Sequence, residues 1–227
     1  MQVLDLTGMN GESTAVQALQ EGFDALPEGE SVKVVGEDGH AQLLEGFQND
    51  NWGTYEWYPL PVEQGWSIAL HKKSEVKSPR QVAEYFTFDH RRCDDLFAQM
   101  ENAASAGDDA TAIASFQAFD MGMLHHFRME EEVLFPSFEQ KTGMTQGPTM
   151  VMRMEHQQMR GLLSQMREFV LHQDVKGMAG VGGTLLFVMQ QHNMKEEQML
   201  YPMTDMHLGQ DVDELLKNIQ TLEPNRG

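Results

Sequence analysis

A repeat 66 residues apart limits this chain more than any other feature. HFRMEEEVLFP runs from His126 to Pro136, and HNMKEEQMLYP from His192 to Pro202. His, two Glu, Leu, an aromatic and Pro agree in register. A second pair of segments keeps the same offset: DHRRCDDLFAQM from Asp89 to Met100 and EHQQMRGLLSQM from Glu155 to Met166. Here the acid-His pair, Leu, Gln and Met agree. Two copies of one helical hairpin, related by a pseudo-two-fold axis, account for both matches.

The hydropathy pattern supplies the helices. After residue 80 no period-2 alternation remains, and four long helical segments are predicted at 80–104, 108–140, 148–171 and 174–203. AGDD and TGMTQGP break them, and DVDELLKNIQ forms a short closing helix. Short connections between four long helices give an up-down-up-down bundle. The i, i+4 spacing puts His126 with Glu130, and His192 with Glu196, on one helical face each. On the second helix that face also carries Phe119, Met123 and Val133. On the fourth it carries Leu185, Val188, Met189 and Met199. Glu131 and Glu197, about 100° further round, are expected to face away.

His90, His126, Glu130, His156, His192 and Glu196 therefore point into an apolar bundle, and burying them without partners is very unfavourable. A pair of metal ions resolves the conflict, because imidazole and carboxylate together suit iron, manganese or zinc. Each ion then takes two His and shares two Glu. Ferritin-like sites use Glu-x-x-His pairs, whereas the order here is His-x-x-x-Glu.

On these motifs, residues 80–205 resemble the hemerythrin-like (HHE cation-binding) family. The resemblance implies two non-haem iron ions held by the six residues, iron ahead of manganese or zinc. It also implies reaction with O2, NO or peroxide. The oxygen carriers of the family place a second His four residues along the third helix. The neighbours of His156 at that spacing are Met152 and Arg160. Four His and two Glu are instead the ligand set of the bacterial iron–sulfur cluster repair di-iron proteins. That implies a role in nitric oxide or oxidative stress, with iron donation to damaged clusters. The alternative is an O2/NO-binding sensor or storage module without turnover. The repair proteins carry adjacent cysteines in their N-terminal domain, and residues 1–78 here contain none.

The first 72 residues read as a βαβαββ two-layer α/β sandwich, so the whole chain is α+β. VLDLTGM and SVKVVG are strands. Residues 12–26 set Val16, Leu19, Phe23 and Leu26 on one stripe, and His40 to Gln48 form a second helix with Leu43, Leu44 and Phe47. TYEWYPL and WSIALHK make a hairpin across PVEQG, and Pro61 marks a strand end or an edge. This unit is similar to SirA/TusA-like domains, but it lacks their Cys-Pro motif. A docking or regulatory role toward a protein partner is expected. The division is 1–72 sandwich, 73–80 polar linker, 81–205 bundle and 206–227 closing helix and tail.

Charge excludes several partners. With 16 basic and 35 acidic residues the net charge is −19, which offers no face for phosphates, so neither nucleic acid nor anionic lipid is expected to bind. The opening residues lack a basic, apolar leader. The one cysteine, Cys93, fits a reducing compartment and, at i+3 from His90, reads as a small buried core residue. A cytoplasmic location is expected. The 18 methionines read as core packing that can shape a pocket for a small gas. His125 reads as surface or outer-layer, and His40, His71, His172 and His207 stand outside the metal set. Ala179, Gly180, Gly182 and Gly183 either let helices approach or leave a passage.

Overall fold

The computed structural model describes residues 1–9, 12–37, 43, 47, 51, 54–62, 65–74 and 81–222. The chain divides into two compact units, one of Met1–Arg80 with Asp213–Gly227 and one of Gln81–Val212.

The first unit is built on a four-stranded sheet in the order β1-β2-β4-β3. β1 (Gln2–Asp5) runs parallel to β2 (Ser31–Gly36), with helix α1 (Glu12–Asp24) between them in sequence. β3 (Tyr55–Pro59) and β4 (Trp66–Lys72) form the expected antiparallel hairpin, and β4 pairs with β2 on its other side. Pro59 closes β3 at the sheet edge, where its missing N–H does no harm. Gly65 enables the turn: its φ is 72°, and a Cβ there would stand 2.2 Å from the Gly36 carbonyl oxygen. Leu19, Phe23 and Leu26 of the expected stripe are buried with Val34, Tyr55 and Ile68. The second expected helix lies outside the described residues except for Leu43 and Phe47, which are helical and buried.

The closing helix, Val212–Gln220, has its apolar stripe, Leu215, Leu216 and Ile219, buried. Trp57 Nε1 donates to the Gln220 carbonyl at 2.6 Å, and Gln220 Nε2 donates to the Tyr55 carbonyl at 3.4 Å. These bonds tie the last helix to β3, a link that chain order does not disclose.

In the second unit the first bundle helix is Val82–Ala106 and the second starts at Asp109–Arg128. The third is Pro148–Leu171 and the fourth starts at Val175–Lys195. The first helix packs on the second and the third on the fourth. Repeat partners cap the second and fourth helices: Asp108 accepts from the Thr111 N–H and Asp174 from the Gly177 N–H. Such caps are typically worth about 1 kcal/mol. The first helix is capped from a distance, by Asp205, which accepts from the Val82 and Ala83 N–H groups at 2.6 and 3.1 Å. Phe97, Phe116, Phe119, Met159, Leu163 and Met189 fill the interior, each worth roughly 2 kcal/mol when fully buried.

The second and fourth helices are not regular throughout. Each widens into a π-helical segment, Met129–Leu134 and Glu196–Leu200, before continuing as Phe135–Thr142 and Tyr201–Leu208. The Phe135 N–H bonds the Glu130 carbonyl and the Tyr201 N–H bonds the Glu196 carbonyl, five residues back in each case. Pro136 and Pro202 come directly after. A proline cannot donate to the carbonyl four residues back and crowds it, and a wide turn absorbs that conflict. The extra residue rotates the remainder of each helix. Leu134 and Leu200 are buried, whereas Val133, expected inward, is half-buried, and Met199, also expected inward, is 57% exposed. A regular 3.6-residue period does not anticipate this shift. Gly182 is where two helices approach, since a Cβ there would meet Phe97 Cζ at 3.4 Å. Gly180 and Gly183 face open space.

Candidate metal centre

Four imidazoles and two carboxylates meet in the bundle interior. His90, His126, Glu130, His156, His192 and Glu196 are all buried, at 4% exposure or less. His90 Nε2 lies 3.2 Å from His126 Nε2, and His156 Nε2 lies 3.2 Å from His192 Nε2. The glutamates stand between the pairs. Glu130 Oε2 is 3.1 Å from His156 Nε2 and 3.6 Å from His126 Nε2. Glu196 Oε2 is 3.2 Å from His192 Nε2 and 3.4 Å from His90 Nε2. Glu130, His156, His192 and Glu196 bring donor atoms within 4.8 Å of one another, as do His90, His126 and Glu196. All six residues singled out by the repeat are thus brought together.

Each ring is held from behind by a carboxylate. His90 Nδ1 is 2.8 Å from Glu197 and His156 Nδ1 is 2.7 Å from Glu131. His126 Nδ1 is 2.9 Å from Asp89 and His192 Nδ1 is 3.0 Å from Glu155. These four acids are two more pairs of repeat partners. Glu131 and Glu197 do not face away from the cluster. The wide turn begins at this level, and each reaches back across the bundle to a ring on another helix. Three of the four outer acids are themselves paired with a cation. Arg92 bonds Asp89 at 2.7 Å, Arg160 bonds Glu131 at 2.7 and 3.0 Å, and Lys195 bonds Glu155. Gly122 makes room for Arg92, because a Cβ there would lie 2.6 Å from its guanidinium.

This arrangement fixes the chemistry of the rings. With Nδ1–H donated to a carboxylate, Nε2 is left as a lone pair. Lone pairs of two rings then oppose each other at 3.2 Å, beside carboxylate oxygens that can only accept. Glu130 Oε2 and Glu196 Oε1 are buried without a hydrogen bond. Cations at the centre reconcile all of these atoms, and so the residues present fit a pair of metal ions.

Without cations, protons must do the same work. Burial pulls His90 and His156 down, yet the carboxylates of Glu196 and Glu197 around His90, and of Glu130 and Glu131 around His156, push them up to about 10 and about 9. Burial works against ionising Glu196, but His192 and His90 hold it well below the usual range. Burial likewise opposes the charge on Glu131, and His156 and Arg160 bring it down to about 2. Asp89, buried beside Arg92 and His126, is held well below the usual carboxylate range.

Tyr201 is a participant that the ligand motif does not disclose. Its one hydroxyl proton is shared between Glu130 Oε1 at 2.8 Å and Glu196 Oε2 at 3.0 Å, and the oxygen lies 3.2 Å from His90 Nε2. Its repeat partner, Phe135, has no hydroxyl and stacks on His156 with ring centroids 5.8 Å apart. The one difference between LFP and LYP in the two motifs was the available signal. Cys93 is a buried core residue, its thiol pushed up to about 12 by burial. His125 is buried too, not on the surface. His71 bonds Ser31 in the first unit, His172 and His207 are exposed, and His40 lies outside the described residues. Among the described residues no helix is long and apolar enough to cross a membrane.

Comparison with known proteins agrees with the geometry. The family model of the hemerythrin HHE cation binding domain matches residues 81–221. Nothing matches among curated proteins or among solved structures.

Proposed function

The chain belongs to the hemerythrin HHE cation-binding family, and from that premise we propose that it is a non-haem di-iron protein of the nitric oxide or oxidative stress response. In this reading His90 and His126 hold one ion, His156 and His192 hold the other, and Glu130 and Glu196 lie between them. The observation that carries the reading is the convergence of four Nε2 atoms and two buried carboxylates with no protein donor for every lone pair. Iron bound there supplies redox chemistry toward NO, O2 or peroxide. The protein's own part is to hold the rings in one tautomer through four outer carboxylates and to keep Phe and Met side chains around them. Two His per ion leave each less saturated than three would, which favours small ligands and iron release to damaged iron–sulfur clusters. The N-terminal unit serves as a docking or regulatory module for a protein partner, and the chain works in the cytoplasm.

Anaerobic purification with metal analysis tests this. Two iron ions per chain are expected, with irreversible oxidation or iron loss on exposure to O2 or NO. One metal per chain, or zinc closed by four ligands, would refute it. Reversible O2 binding without loss of iron would mark a sensor or storage module instead.

A further inference from the structure

The repeat makes two metal positions that differ by one oxygen atom. Repeat symmetry puts Phe135 beside His156 and Tyr201 beside His90. Both aromatics are fully buried, so in the folded chain the phenol hydroxyl is satisfied by groups inside the bundle. It is placed among the metal-facing atoms and not behind the rings. Glu130 Oε1, Glu196 Oε2 and His90 Nε2 surround it at 2.8, 3.0 and 3.2 Å. An octahedral ion that holds nitrogen and oxygen donors at about 2.1 Å separates neighbouring donors by about 3.0 Å. The phenol oxygen therefore stands at the spacing of one more vertex of the same polyhedron. The outer acids sit differently, against Nδ1 on the far side of each ring.

We propose that Tyr201 is a seventh metal ligand, supplying its phenol oxygen to the ion at His90 and His126, so that the two ions are chemically inequivalent. The proposal rests on the di-iron reading of the cluster. Ligation exchanges the O–H bond for an oxygen–metal bond, and the proton leaves to solvent; no electron is transferred. The ion at His90 and His126 gains an anionic oxygen that the ion at His156 and His192 lacks. A hard anionic donor favours the ferric state of the first ion.

The test uses the full chain, loaded anaerobically with ferrous iron and oxidised with ferricyanide. A phenolate on ferric iron gives a visible charge-transfer band with resonance-enhanced tyrosine ring modes. The band is expected in the wild type, and ring-deuterated tyrosine should shift those modes without any substitution in the chain. Tyr201→Phe should lose the band while keeping its iron. Tyr85→Phe, whose hydroxyl lies 3.8 Å from Met129 Sδ, should keep both. Iron-loaded wild type without tyrosine modes overturns the proposal and leaves the di-iron reading standing. Retention of the band in Tyr201→Phe does the same. A wild type that binds no iron overturns both.

Discussion

The two hairpins of the bundle hold the same inner residues in different surroundings. At His126 the supporting acid is Asp89, buried and locked to an equally buried Arg92. At His192 it is Glu155, part-exposed and paired with Lys195 on the surface. Gly122 leaves space for Arg92, and its repeat partner is Val188; the partner of Arg92 itself is Gln158, which is exposed. The aromatic after the wide turn is Phe135 in one copy and Tyr201 in the other. The two copies thus share the six residues that face the centre, while one adds the Tyr201 hydroxyl and the partners behind the rings differ. On the di-iron reading the inner residues answer to ion size and charge. The outer layer answers only to which ring must be held, and several acids and cations can do that.

Breaking the central carboxylates should have the largest effect, and it should be unequal. Glu196 shares donor distance with both histidine pairs, whereas Glu130 gives one oxygen to Tyr201. Glu196→Ala is expected to lose both ions and Glu130→Ala to retain part of the metal, read as metal per chain. Equal loss in the two variants would mean that the copies are equivalent after all.

The outer acids come next. Asp89→Ala should weaken metal binding by roughly 10–100-fold and destabilise the metal-free chain by about 3–5 kcal/mol, because the buried Arg92 loses the carboxylate that pairs with it. Glu155→Ala should weaken metal binding in the same range but cost stability only about 1 kcal/mol, because Lys195 stays in water. Metal titration and urea denaturation check both. Comparable stability losses would remove the distinction between buried and surface support.

A pH series sharpens the comparison at His90 and His156, one from each copy. Their folded pKa values are raised above the ordinary 6.5, to about 10 and about 9. Their contribution to the metal-free chain is therefore complete below pH 6.5. It is lost as pH rises, first through His156 and then through His90. Metal binding should run the other way, strengthening with pH by on the order of tenfold per unit for each proton displaced. Denaturation midpoints of metal-free protein and metal affinity across pH 6–10 should slope in opposite directions. Parallel slopes would mean that the rings are already neutral.

The smallest effects separate neighbours on the second helix. Glu131→Ala removes the support of His156 and should lower metal affinity by roughly tenfold. Glu132 is exposed and pairs only locally with Arg128, so Glu132→Ala should change stability by about 0.5 kcal/mol or less and leave metal content intact. Isothermal titration with both variants decides this. An equal loss in Glu132→Ala would place the wide turn one residue off.

The inner six were legible because one offset repeated three kinds of residue on apolar faces, and a periodic pattern survives without coordinates. The four-helix order and the hairpin of β3 and β4 were legible for the same reason. The wide turns were not. Pro136 and Pro202 stood in the sequence, but whether a helix ends, kinks or widens at a proline depends on what it packs against. Glu131, Glu197 and Met199 were misplaced by that one residue. Tyr201 was hidden because an aromatic among leucines and methionines reads as core until its hydroxyl has a location. The closing helix announced its amphipathic stripe, but nothing in an apolar stripe says which surface will cover it.

That closing helix has a consequence for biosynthesis. Trp57 and Gln220 are 163 residues apart in the chain, and the whole bundle is translated between them. On a ribosome the sheet emerges before the bundle and waits for this helix until the bundle has been translated. Joining two such distant segments of an unfolded chain carries a loop-closure penalty that grows with the logarithm of the loop. A bundle that has already folded takes most of those residues out of the flexible loop. The order of events is then set by topology: the helical hairpins collapse first, and the sheet that precedes them is completed after them.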